Sequence, residues 1–168
     1  MSEMIGIDPT KVCTAAEADA GEGFVLGTVG ANMTSNGLKK YIWVEAGEAV
    51  TAAGYACVID SGFIAEMLDS TSSAPGAGQG CMVGAAQAAI AINGQGWLQI
   101  YGKGSLRTLA SAAVGTALYS TATPGAVDDA ATAGLEVVNG LTLGTATGGA
   151  EATNTDAYFT YPTVGATA

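Results

Sequence analysis

The sequence predicts an all-β protein, an antiparallel β-barrel or sandwich that holds two similar β-units of about 60 residues. Three observations carry that expectation. Turn signals recur every eight to twelve residues, apolar residues gather into strand-length runs, and a helical period is nearly absent. The runs alternate from side to side or stay apolar throughout, as strands covered on one or both faces do.

Residues 1–23 read as an N-terminal arm, acidic and alanine-rich without a clear period. The stretch "PTKVCTAAEADAGEG" is expected either as a short helix or as an extended segment lying on a partner. The β domain spans 24–168. Its first strand is expected over 24–33, followed by a hairpin at Ser35-Asn36-Gly37, because Asn and Gly both tolerate positive φ. The return strand "KYIWVEA" puts Tyr41, Trp43 and Glu45 on one face and Ile42, Val44 and Ala46 on the other, so both faces are largely apolar. Such a strand lies between a core and an interface, or inside a closed barrel.

Gly54 then opens "YACVID", and Asp60-Ser61-Gly62 turns the chain into "FIAEML". Residues 70–80, polar with Gly and Pro, read as an exposed loop. "CMVGAAQAAIAI" is expected as a strand bent at Gly84 rather than a helix, given its flanking glycines. In "GWLQIYGKGSLRTL", Trp97, Gln99 and Tyr101 share one face and Leu98 and Ile100 the other. The hairpin at 115–129 turns at Thr123-Pro124-Gly125-Ala126, where Pro sets φ near −65° and Gly permits the positive φ of a type II turn. "EVVNGLTLGTA", a Gly-rich loop at 148–156 and the strand "AYFTYP" complete the chain.

The order of these motifs repeats. Gly54 matches Gly115, "ACVID" matches "ALYST", Gly84 matches Gly144 and "WLQIY" matches "AYFTY", each at an offset of 60 or 61. An internal repeat over 46–104 and 107–165 follows, as two units packed together and not as a solenoid, which needs three or more.

Only 33 of the 168 residues are Leu, Ile, Val or Phe, against 33 Ala, so the core is thin and partner contacts are expected to contribute to stability. Fifteen acids against five bases, a net charge of −10, disfavour nucleic acid and anionic membranes as partners. Lys39 and Lys40 are the one adjacent basic pair and mark a solvated strand entrance. Cys13, Cys57 and Cys81 lack metal or redox spacing and read as small hydrophobes in a reducing compartment. Neither a secretory segment nor a membrane-spanning stretch is expected.

The sequence contains no His, which removes imidazole bases, Ser-His-Asp triads and His metal ligands. Two carboxylates suffice for a glycosidase, and Asp128-Asp129 or Glu45 with Glu48 are the available pairs. Adjacent strand residues point to opposite faces, so Asp128 and Asp129 would not converge. The glycine-rich stretches lack the strand and helix context of phosphate-binding loops. No enzymatic activity, cofactor or metal is expected. Trp43 and Trp97 read as core or interface, with a sugar-stacking platform as the alternative.

Leu26-Gly27-Thr28, Lys40 to Ala46, Val83 to Gly102, Gly115 to Asp129 and Val138 to Leu143 together resemble the small head decoration, or cement, proteins of tailed bacteriophages. The resemblance covers about residues 24–145 and rests on turns and aromatic strands. It implies an all-β virion protein that binds the outside of an assembled, expanded shell as a homo-oligomer, a dimer or trimer, and strengthens it. The partner so implied is the major capsid protein, the location the capsid exterior after synthesis in the host cytoplasm. Capsid or subunit contacts are expected at Met4, Ile5, Ile7 and Val12 of the arm and at Lys39, Lys40, Trp43 and Trp97. The rival expectation is a virion fibre or lectin-like domain that reads host glycans through Trp43 or Trp97.

Overall fold

The computed structural model describes residues 4–149 and 152–168, with the side chain of Met4 outside that description. The chain is all-β. Its strands are β1 (Met4–Ile5), β2 (Val12–Cys13), β3 (Val29–Thr34), β4 (Gly37–Ala46), β5 (Ala56–Ile59), β6 (Ile64–Met67), β7 (Met82–Ala86), β8 (Gln95–Thr108), β9 (Leu118–Ser120), β10 (Val127–Asp128), β11 (Glu136–Leu143) and β12 (Thr153–Thr167). A single short helix among the described residues, α1 (Ala15–Asp19), lies in the arm.

Strand pairing closes the network into two rings. In the first, β4 pairs with β6 in parallel, and β6–β5, β5–β7, β7–β8 and β8–β4 are antiparallel. In the second, β8 pairs with β10 in parallel, and β10–β9, β9–β11, β11–β12 and β12–β8 are antiparallel. The two rings thus use the same sequence of pairings. The fourteen-residue strand β8 serves both, closing the first ring with its N-terminal half and opening the second with its C-terminal half. Ring closure pairs strands that would otherwise present open edges. The parallel pairs make the sheet mixed, where the sequence had predicted only antiparallel pairing.

Each ring has its own core. Ile42, Val44, Ala46, Cys57, Ile59, Ala65, Leu98 and Ile100 fill the first. Leu106, Leu118, Val127, Val138, Leu141, Leu143, Ala157 and Phe159 fill the second. Ala56, Val58, Val83 and Ala85, on the opposite faces of β5 and β7 from the first core, join the second. That shared wall is buried on both sides, which is why its strands read as continuous apolar runs without alternation. Bare backbone makes the wall thin: a Cβ on Gly84 would stand 2.8 Å from Leu98 Cβ.

The register shows where the two rings diverge in sequence. Ile59 opposite Ala65 corresponds to Ser120 opposite Val127, while Gly84 opposite Cys57 corresponds to Val138 opposite Leu118. Gly144 lies just past β11, away from the place that Gly84 holds. Loop length explains the drift. Residues 68–81 join β6 to β7, whereas the shorter 129–135 joins β10 to β11.

Local elements follow their side chains. The first strand begins at Val29 and not at residue 24, because Gly27 (φ 80°) turns the chain under the Phe63 ring and Thr28 bonds back to Val25 O. At the β3–β4 hairpin, Gly37 (φ 93°) is the residue with positive φ, and Asn36 is not. Asp60 holds its turn by accepting hydrogen bonds from Gly62 N (2.8 Å) and Ile64 N (2.9 Å). The turn at Pro124-Gly125 is of type II: Gly125 has φ 74° and Ala126 N donates to Thr123 O at 3.1 Å. β12 starts four residues earlier than expected, since its N-terminal half pairs with β8.

Burial sorts the cysteines. Cys13 and Cys57 are buried and Cys81 is partly open. Burial, with a smaller contribution from the Glu48 charge, pushes the Cys57 thiol far above its ordinary value. A thiol-specific disulfide reagent at neutral pH is therefore expected to label Cys81 first and Cys57 only on unfolding. Fast labelling of Cys57 in native protein would contradict this packing.

Candidate functional site

The arm is folded onto the body of its own chain. β1 lies parallel to β3 at Gly30 and Ala31, and β2 pairs with β8 at Gln95 and Gly96. Between them, Asn32 Nδ2 donates to Ile7 O at 2.8 Å. The helix α1 begins with a reciprocal cap: Glu17 N donates to Thr14 Oγ1 and Thr14 N to Glu17 Oε2 (2.7 Å). Lys11 Nζ stands 5.1 Å from the Phe24 ring centroid and donates to Glu22 O.

Beneath this cover is an aromatic cluster. Trp43 and Trp97 lie directly opposite each other on β4 and β8, their rings 5.0 Å apart at 70°. Phe24 meets Trp43 edge-on at 5.1 Å, and Ile7, Leu26 and Cys13 pack on the same group. Trp43 Nε1 donates to Gln95 Oε1 at 2.9 Å. The alternating face read from the sequence is the face the arm covers.

This places the sequence-predicted contacts unequally. Trp43 is 0% exposed and Trp97 1%. Neither ring offers a surface to a capsid, a second subunit or a sugar in this chain, a correction that follows from the arm taking the covering role expected of a partner. Ile7 packs into the same cluster. Ile5 is 86% exposed, and Val12 is exposed on the other side of the arm's cover, where β2 pairs with β8. Lys39 and Lys40 are half-buried near the start of β4. The side chain of Met4 lies outside the described residues. Val25, 82% exposed, was missed because its sequence neighbours read as one strand.

Two carboxylates of the arm carry its pH response. Hydrogen bonds from the Thr10 hydroxyl and amide hold Asp8 below its ordinary value, and those from the Thr14 amide and hydroxyl do the same for Glu17. A carboxylate lowered in the folded state contributes stability that is present above its unfolded value and lost as pH falls through the folded one. Amide exchange in residues 8–20 is accordingly expected to accelerate below about pH 4, before the rings unfold. Simultaneous loss of arm and ring protection would contradict an independently held arm.

Three of the four carboxylates considered from sequence accept hydrogen bonds from backbone amides. Glu48 Oε1 accepts from Met67 N at 2.7 Å, while Glu45 is half-buried in β4. Asp128 accepts from Asp129 N, and Asp129 caps Ala113 N. Burial first, then the Asp129 charge, raises Asp128, opposed by that amide hydrogen bond. Among the described residues no three His, Cys, Asp or Glu side chains gather as a metal-holding group. No helix among them is long and apolar enough to cross a membrane.

One buried acid was not singled out by sequence. Glu136, 1% exposed, accepts from Ser73 Oγ (2.8 Å), Ser120 Oγ (3.3 Å) and Thr167 Oγ1 (3.4 Å), and its amide donates to Ser120 Oγ. It ties the 68–81 loop, β9 and the end of β12 to β11. Three hydroxyls from segments far apart in the chain leave no local spacing to read.

A second surface lies where the β3–β4 hairpin approaches β12. Asn36, Leu38, Tyr101, Gly102, Lys103, Tyr158, Phe159 and Thr160 line an open cleft of about 300 Å³. The Tyr101 and Tyr161 rings stand 5.3 Å apart, and Lys103 Nζ pairs with Asp156 Oδ2 at 2.7 Å.

The fold and these surfaces define an all-β protein of two fused strand rings with apolar side chains displayed on a docked arm. No family model, curated protein or solved structure matches the chain.

Proposed function

We propose that the chain is a structural virion protein that binds the outer surface of an assembled phage capsid and stabilises it. The reading rests on the resemblance of residues 24–145 to head decoration proteins. The observation that carries it further is the placement of Ile5 and Val25, the two most exposed large hydrophobic side chains among the described residues, on the segment laid over the first ring. A decoration protein works by adhesion. Each copy needs modest contacts, and a repeating lattice multiplies them. The major capsid protein is the partner, and the copies act as a homo-oligomer, dimeric or trimeric, on the capsid exterior.

The test is sedimentation of the purified chain with expanded and with unexpanded shells of its virus. Wild type is expected to pellet with expanded shells selectively. An Ile5→Asp/Val25→Asp double variant, altered only at exposed positions, is expected to lose at least tenfold in affinity, since two apolar contacts of about 1.5–3 kcal/mol are removed. Deletion of residues 2–20 is expected to abolish attachment. Undiminished binding of both variants would refute the arm's role, and no pelleting of wild type would refute the reading itself.

A further inference from the structure

We propose that the cleft between the β3–β4 hairpin and β12 is a binding site for a neutral glycan, independent of the capsid-facing arm. The outer face of β8 and β12 carries Tyr101, Lys103 and Ser105 opposite Thr160, Tyr158 and Asp156. Their neighbours Leu106, Ala157 and Phe159 turn into the second core, so this alternation fixes the tyrosines outward. Tyr158 is 49% exposed and Tyr161 47%. Two of the six tyrosines of the chain thus line one cleft, and a third, Tyr161, stands against the Tyr101 ring.

Backbone strain supports a built site. Tyr161 holds φ at 52°, in the left-handed region, where a residue with a bulky side chain is strained. The strain falls where β11 and β12 slip register between Asn139 and Leu141. Gly140 (φ 76°) admits the bulge, because a Cβ there would press on Thr160 O at 2.9 Å. The slip leaves the Tyr161 ring beside Tyr101. Across the cleft, Tyr158 lies over the bare backbone of Gly144, 2.9 Å from where a Cβ would stand. Gly144 thus makes room for the Tyr158 ring, and Gly140 for the bulge that carries Tyr161.

The chemistry of the lining selects the ligand. A pyranose has an apolar C–H face, which suits the negative face of an aromatic ring, and a rim of hydroxyls that both donate and accept. Tyr101 and Tyr158 supply rings, with Tyr161 backing Tyr101. Asn36, Thr160 and the Lys103–Asp156 pair supply donors and acceptors at the edge. The paired charges cancel within the cleft, and the net charge of −10 repels acidic sugars, so the glycan is neutral. A volume of about 300 Å³ is at the low end of small-ligand sites, in keeping with a weak site made useful by many copies.

Saturation-transfer NMR and calorimetry with neutral gluco-, galacto- and manno-configured hexasaccharides test the proposal. At least one is expected to bind, with affinity falling tenfold or more in Tyr158→Ala. Tyr161→Gly removes a ring while relieving the left-handed backbone, so it keeps the fold and is expected to lose binding as well. Silence of the full panel, or binding retained in both variants, overturns the glycan site. Loss of shell pelleting by these variants without any sugar binding also overturns it and assigns the cleft to a protein contact. Shell pelleting unaffected by them, together with sugar binding, keeps the two surfaces separate.

Discussion

Gly102→Ala is expected to lower stability by about 2–4 kcal/mol, the sum of a left-handed alanine and an overpacked contact, and with it the melting midpoint by about 5–15 °C. Gly102 has φ 90° and stands where β8 passes from the first ring to the second. A Cβ there would collide with the backbone carbonyl of Leu38 and crowd Lys39 Cα at 3.2 Å. Backbone atoms of a paired strand cannot rotate aside as a side chain can. Gly76→Ala separates the two causes. It has φ 85° with open space around the missing Cβ, so it carries the conformational cost of about 1–2 kcal/mol alone. Equal midpoints for the two variants would show that β8 is not clasped at the crossing.

Glu136→Ala is expected to cost about 2–4 kcal/mol, from an emptied volume and from Ser120 and Thr167 hydroxyls left without their acceptor, while Ser73 keeps the Asp69 carbonyl. Glu136→Gln keeps the volume and one acceptor, so its loss is expected to be about half as large. Urea unfolding followed by Trp fluorescence reads both, and the slope should not change, since the surface exposed on unfolding is the same. An alanine variant as stable as wild type would mean that the three segments are held without the acid. The position is informative because Ser73 belongs to a loop that the sequence marks only as polar and glycine-rich.

Periodicity carried the sequence reading where the two faces of a strand meet different clusters. Tyr41 to Ala46 and Trp97 to Ile100 alternate between the aromatic cluster and the first core as expected. The Pro124-Gly125 turn and the Asp60 turn are local chemistry and were legible for that reason. Pairing between remote strands was not. The parallel bridges β4–β6 and β8–β10, on which ring closure depends, consist of two residue pairs and one residue pair respectively, too short to leave a pattern. The arm was legible as a separate segment but not as a cover. Cys13, Ile7 and Phe24 are scattered over eighteen positions, and only the fold shows that they converge on two tryptophans. Among the contact residues, exposure followed no residue type: Ile5 projects while Ile7, two positions on, packs inward, because Gly6 (φ 79°) between them breaks the alternation that would put both on one face.

Electron microscopy of expanded shells incubated with the purified chain tests the adhesive role most directly. The account predicts added density on the outer surface at symmetry-related sites, with residues 5–25 against the shell. Bare shells at saturating protein, with the chain free in solution, would contradict it.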